Sequence, residues 1–121
     1  MKIKVFDCDI TVCKIKSTEG LDLEKGFYFL AKTDEELSLV CRTVDAPGDT
    51  TDREDGWRAL RIEGVLDFSL IGILARITGV LAECGIGLFA VSTFNTDYIL
   101  VKRENLEKAR ATLKAADYEI D

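Results

Sequence analysis

The sequence has no histidine, a single proline and, across its 121 residues, no long uncharged apolar run. Without histidine the chain lacks the commonest general base near neutral pH, the Ser/His and Cys/His nucleophile pairs, and the usual zinc ligand. No catalytic residue and no metal or other cofactor site is therefore expected. No apolar stretch approaches the roughly 20 residues needed to cross a bilayer. The start, Met1 to Val5, alternates like a strand and not like a signal peptide, so the expected location is the cytoplasm, away from the membrane. C-x-x-C spacing is missing as well: Cys8, Cys13, Cys41 and Cys84 each sit in an apolar strand or helix pattern and are expected as buried, reduced thiols. Nor is there an excess of positive charge. The 16 basic and 22 acidic side chains give a net charge of -6, and no Lys/Arg run with interleaved aromatics offsets it, which argues against nucleic acid.

What is present is a hydrophobic content of 47% with 31% charged residues, the balance of a compact globular chain. Its length suits one ordinary domain or two small halves that must share a core or dimerise. In the first half, Lys2 to Phe6, Ile10 to Lys16, Phe27 to Lys32 and Leu37 to Thr43 are rich in Val, Ile, Phe and Tyr and predict strands. Ser17 to Gly26 carries only Leu21 and Leu23 as apolar residues, so an extended link or one short turn is expected there. Residues 44–56 are acidic and turn-rich and predict a solvated linker, placing a first domain at 1–56 and a second at 57–121. The linker lacks the spacing and closing glutamate of a calcium loop. Asp7-Cys8-Asp9 has a D-x-D pattern that a tight turn explains.

The second half is more regular. Trp57 to Gly64 alternates as a strand, and Leu70, Ile73, Leu74, Ile77, Leu81 and Cys84 follow helical spacing for one buried face. Asp67 or Ser69 is placed to cap that helix and Gly85 to stop it. Ile86 to Thr93 and Asp97 to Lys102 predict a hairpin turning at Asn95-Thr96. Leu106, Ala109 and Leu113 mark a second helix, and Tyr118 to Ile120 a last strand. The order strand, helix, strand, strand, helix, strand is βαββαβ, the ferredoxin-like arrangement. The expected class is α+β: tandem ferredoxin-like units with antiparallel sheets and helices on one face, the first unit helix-poor.

Two segments carry the chemistry. The turn Leu66-Asp67-Phe68-Ser69 leads into a helix whose unpaired amides favour an anion, while Asp67 can receive an ammonium group. Together they suit the zwitterionic head of an amino acid, although a plain helix cap accounts for the same residues. Thr93-Phe94-Asn95-Thr96-Asp97 adds hydroxyl, amide and carboxylate groups at a hairpin, which are also ordinary hairpin residues.

The segments from Gly64 to Ala75 and from Gly85 to Val101 resemble an ACT domain, in particular the small bacterial tandem-ACT proteins related to the cytosolic arginine sensors and to the ACT region of aspartate kinases. The resemblance implies regulatory amino-acid binding. It places the ligand turn on Asp67, Phe68 and Ser69, with Gly72 and Ile73 behind it, and the hairpin contacts on Thr93, Phe94 and Asp97. It also implies that Gly87 and Leu88 meet a neighbouring ACT unit, so that a homodimer completes the pocket, and that an unidentified regulated protein receives the signal. Leu70 stands where the arginine sensors carry a further acidic residue, which leaves the amino acid unnamed. Two other readings compete: a ligand-free adaptor presenting a sheet surface, and an acylphosphatase-like hydrolase using Arg58, Arg61 and Asn95.

Overall fold

The computed structural model of the chain describes residues 1–63 and 72–121. Among these the chain forms eight strands and two helices: β1 (Lys2–Val5), β2 (Ile10–Ile15), β3 (Tyr28–Lys32), β4 (Leu37–Arg42), β5 (Thr50–Ile62), α1 (Ile73–Glu83), β6 (Leu88–Ser92), β7 (Asp97–Lys102), α2 (Leu106–Ala115) and β8 (Glu119–Ile120). Contacts divide them into two compact units. One is Cys8–Trp57; the other joins Met1–Asp7 to Arg58–Asp121. Strand β5 begins in the first and ends in the second.

The unit containing both helices has the ferredoxin-like order with one strand added. β6 pairs with β7, β7 with β5, β5 with β1, and β1 with β8. The added strand is β1, antiparallel to β5 with Ile3 opposite Ile62, and parallel to β8 with Ile3 opposite Ile120. Two-residue periodicity sends Ile3, Leu60, Ile62, Ile99 and Val101 to one face, where they bury against Ile77 and Leu81 of α1 and Leu106, Ala109 and Leu113 of α2. Complete burial of each Leu or Ile stabilises by about 1.5 to 3 kcal/mol, so this layer holds the unit together.

Both helices end the same way. The Ile86 amide donates to the Leu81 carbonyl at 3.1 Å and the Gly85 amide to Ala82 at 3.0 Å, with Gly85 at φ 73. Tyr118 to Leu113 and Asp117 to Lys114 repeat the pattern at 3.1 and 3.0 Å, with Asp117 at φ 71 in the left-handed position usually given to glycine. The start of α1 differs from expectation. Its cap is Gly72, at φ 82, instead of Asp67 or Ser69.

The Cys8–Trp57 unit has the order β3-β4-β2-β5 and contains no α-helix, as its sequence predicts. Cys13, Ile15, Leu39 and Cys41 form its core with Leu21, Tyr28, Leu37 and Ala46 packed on them. Burial pushes the Cys41 thiol up to about 11 and raises that of Cys13, so both stay protonated and inert. The other two cysteines depart from expectation, Cys8 being half-buried and Cys84 exposed. The acidic stretch departs too: a short 3-10 turn occupies Thr43–Asp45, and β5 starts at Thr50 where a loop is predicted. Residues 51–55 are all exposed, so they show no apolar alternation, and their strand conformation comes from backbone pairing with β2.

Each unit contains the same hairpin. Tyr28↔Cys41 through Lys32↔Leu37 in β3–β4 recurs as Leu88↔Val101 through Ser92↔Asp97 in β6–β7, displaced by 60 positions, from 28 to 88 and from 41 to 101. Thr33 and Thr93 both donate their amides across the turn, to Glu36 and Thr96, at 2.9 Å. A 3-10 turn follows each hairpin, Thr43–Asp45 and Arg103–Asn105. The tandem character is thus carried by the strands.

In the Cys8–Trp57 unit, the buried Thr11 hydroxyl lies 2.6 Å from Asp55 Oδ1 and 2.8 Å from the Thr43 hydroxyl, while Arg53 donates to the same carboxylate at 2.9 Å. These bonds, that of Thr11 foremost, hold the Asp55 carboxyl below its ordinary 3.8. A carboxylate so lowered stabilises the fold above its unfolded value, and that contribution disappears as pH falls through the folded one. We therefore expect the melting temperature of Asp55→Asn to fall less steeply than that of the unsubstituted chain between about pH 5 and pH 2.5; equal slopes by circular dichroism would show that Asp55 carries no such linkage.

Candidate functional site

The corner where β5 ends is fixed from the hairpin side. Thr96, buried in a turn of otherwise exposed residues, donates its hydroxyl to the Ile62 carbonyl at 2.7 Å. The hairpin tip is therefore tied to the strand end that leads into residues 64–71. Thr93 closes the turn itself: its hydroxyl donates to the Thr96 carbonyl at 3.1 Å and accepts from the Thr96 amide at 3.4 Å. The turn's central residues are thus Phe94 and Asn95, one position earlier than the predicted Asn95-Thr96.

Of the residues singled out in the sequence, Asp67, Phe68 and Ser69 lie outside the described residues. Gly72 is the cap of α1, its carbonyl accepting from the Arg76 amide at 2.9 Å. Ile73 opens the helix and packs its side chain against the core. At the hairpin, Phe94 is 81% exposed, and Asp97 accepts a hydrogen bond from Ser92, its cross-strand partner. In the sequence Thr96 is indistinguishable from an ordinary turn residue.

Gly87 and Leu88 stand elsewhere. Leu88 pairs with Val101 at the far end of the β6–β7 ladder from the tip, and Thr93 lies six residue steps beyond Gly87, about 20 Å of extended chain. The tight turn after α1 reverses the chain into β6, and α1 and β6 each span about 16 Å. Gly72 and Ile73 are thereby set toward the hairpin end, Gly87 and Leu88 toward the other. Among the described residues, one copy of the chain sets Gly87 and Leu88 apart from Gly72, Ile73 and Thr93.

The strand between them is open. Among the described residues β6 pairs with β7 alone. Its sequence, Leu-Phe-Ala-Val-Ser, contains no charge and no proline, the devices that ordinarily protect a sheet edge. Gly87 beside it is exposed, and a side chain added there would meet nothing within 4 Å.

The groups proposed for hydrolysis sit in other roles. Arg58 donates to the Phe6 carbonyl at 2.8 Å and lies 3.5 Å from Asp7. Arg61 pairs with Glu63 at 3.1 Å, and Asn95 is exposed at the turn. Among the described residues no group of three or more His, Cys, Asp or Glu side chains is placed to hold a metal ion, and no helix is long and apolar enough to cross a membrane.

A model of the ACT domain family matches residues 52–115, more than half of the 121 residues. The structure is similar to that of a protein from Agrobacterium tumefaciens, with a TM-score of 0.85 and 30% identity over 99% of this chain and 91% of that one. It is also similar to the aspartokinase α and β subunits, with a TM-score of 0.64, 14% identity, and coverage of 96% and 97%. Aspartate kinase from Clostridium acetobutylicum gives a TM-score of 0.67 at 11% identity over 94% of this chain and 34% of that one. At these lower identities the likeness is one of fold. No curated protein matches the sequence.

If the Thr96 hydroxyl anchors the corner, Thr96→Val leaves the buried Ile62 carbonyl short of its donor, with an expected cost of about 1 to 3 kcal/mol in urea unfolding; a loss below about 0.3 kcal/mol would show that the anchor contributes little.

Proposed function

The chain belongs to the ACT domain family, and from that premise we propose that it is a non-catalytic regulatory protein that binds an amino acid where two copies of it meet. The observation that carries this reading is the unprotected β6 edge, with Gly87 and Leu88 at one end and Thr93 at the other. Two copies related by a twofold axis pair identical edges antiparallel, so the start of one strand meets the end of the other. Centred on Ala90, such pairing sets Gly87 of one copy against Thr93 of the partner. The approximately 20 Å separation within one chain then becomes a contact between chains. Gly87, with no side chain, leaves room for a ligand to approach.

At each such corner Asp97 with Thr93 borders the ligand, and Asp67 is the carboxylate assigned to its ammonium. A signal follows only if the ligand and the regulated protein favour the same conformer, because equal affinity for two states shifts neither. The lack of histidine in the whole sequence supports binding over hydrolysis.

A thermal-shift screen of the twenty amino acids tests the reading. A ligand at a hundredfold excess over Kd stabilises by about 2.7 kcal/mol. Asp67→Ala is expected to abolish that shift and leave the dimer mass unchanged in sedimentation. Ala90→Lys, placing a charge on the edge, is expected to yield a folded monomer that has also lost the shift. No response to any amino acid would favour the adaptor; a monomeric Ala90→Lys that still responds would remove the interface from the site.

A further inference from the structure

The sheet face turned away from the helices holds a cluster that the amino-acid site does not use. Lys2, Lys4 and Phe6 alternate with the core residues Ile3 and Val5, and Arg61 lies between the core residues Leu60 and Ile62. All four therefore stand on the open side. Lys4 is directly opposite Arg61 in the β1–β5 ladder. Both cations share one aromatic floor, the Lys4 ammonium 5.1 Å and the Arg61 guanidinium 5.0 Å from the Phe6 ring centre, with Arg61 also 5.9 Å from that of Tyr98. Beside them opens a cavity of ≈ 400 Å³ lined by Lys2, Lys4, Arg61, Glu63 and Asp121.

Like charges placed directly opposite on adjacent strands repel and weaken the pair. In a chain of net charge -6, two cations at such a position stand out. The acidic neighbours only partly offset them. Glu63 is engaged by Arg61 at 3.1 Å, and Lys2 stands opposite Glu119 in β8. Asp121 also lines the cavity, so three cations face two carboxylates there, and among the described residues no carboxylate lies within ion-pairing distance of Lys4.

We propose that this face is a second binding site, for a small oxyanion, carboxylate or phosphate, that sits between Lys4 and Arg61. The guanidinium, although hydrogen-bonded to Tyr98 and Glu63, has further N–H donors for an oxygen of either group, and the ammonium supplies a movable second contact. The rings beneath keep the cations raised toward the cavity and exclude water from one side. Neutralising the repulsion couples occupancy to the β1–β5 ladder, so the anion tightens the seam joining the chain's first strand to β5.

Calorimetric titration of the full chain at low ionic strength with inorganic phosphate, and separately with succinate, tests this. At least one should bind saturably at one per chain, and which of them does so identifies the source of the oxyanion. Lys4→Gln should weaken that binding at least tenfold and, without anion, melt no lower than the unsubstituted chain, since it removes a repulsion. Arg61→Lys, which keeps the charge and loses the planar set of donors, should weaken it too. Lys108→Gln, on the exposed side of α2, should not. Asp67→Ala should leave it intact, separating this site from the amino-acid corner. Absence of saturable binding by both anions, or unchanged affinity in a folded Lys4→Gln, overturns the proposal.

Discussion

The pairing of β1 with β5 is the constraint on which the helix-bearing unit rests. Ile3 and Ile62, opposite one another and both fully buried, lie at the centre of the layer beneath α1 and α2. The same ladder gives β8, only two residues long, the strand it pairs with. It also aligns the carbonyl at the end of β5 that receives the Thr96 hydroxyl. Core, sheet order and site corner therefore share one register, and a slip by one residue would turn Ile3 outward and carry Lys4 into the apolar layer.

That register was only partly legible in the sequence. The helical spacing of Ile73, Leu74, Ile77 and Leu81 is strong because each apolar residue recurs on one face, and Gly85 marks the stop through its permitted positive φ. The β6–β7 hairpin was legible for similar reasons. What escaped was long-range: alternation marks Lys2 to Val5 as a strand, but nothing local says that its partners are β5 and β8. Residues 51–55 escaped for the opposite reason. Asp52, Arg53, Glu54 and Asp55 show no apolar period because all are exposed, and backbone pairing with β2 shapes the segment in spite of its loop-like composition.

At the candidate site the sequence offers residue types but not their placement. A five-residue strand keeps Gly87 and Thr93 far apart in one chain, and no inspection of spacing reveals that without the direction of β6. The buried Thr96 resembles every other turn threonine until the Ile62 carbonyl is seen beside it. The 60-position repeat is likewise invisible residue by residue: Thr33 recurs as Thr93, but Cys41 recurs as Val101, and what persists is register and burial.

The helix-bearing unit is interrupted in sequence, with Cys8–Trp57 falling between its first strand and the rest. During synthesis β1 must wait for β5 and then for β8, and joining ends so far apart costs loop entropy before any burial offsets it. The Cys8–Trp57 unit draws on nearer pairings, such as β3 with β4 across a four-residue turn, and is placed to organise first. Collapse of that unit would shorten the effective loop that the first strand must close, and so lower the entropy cost of completing the helix-bearing sheet.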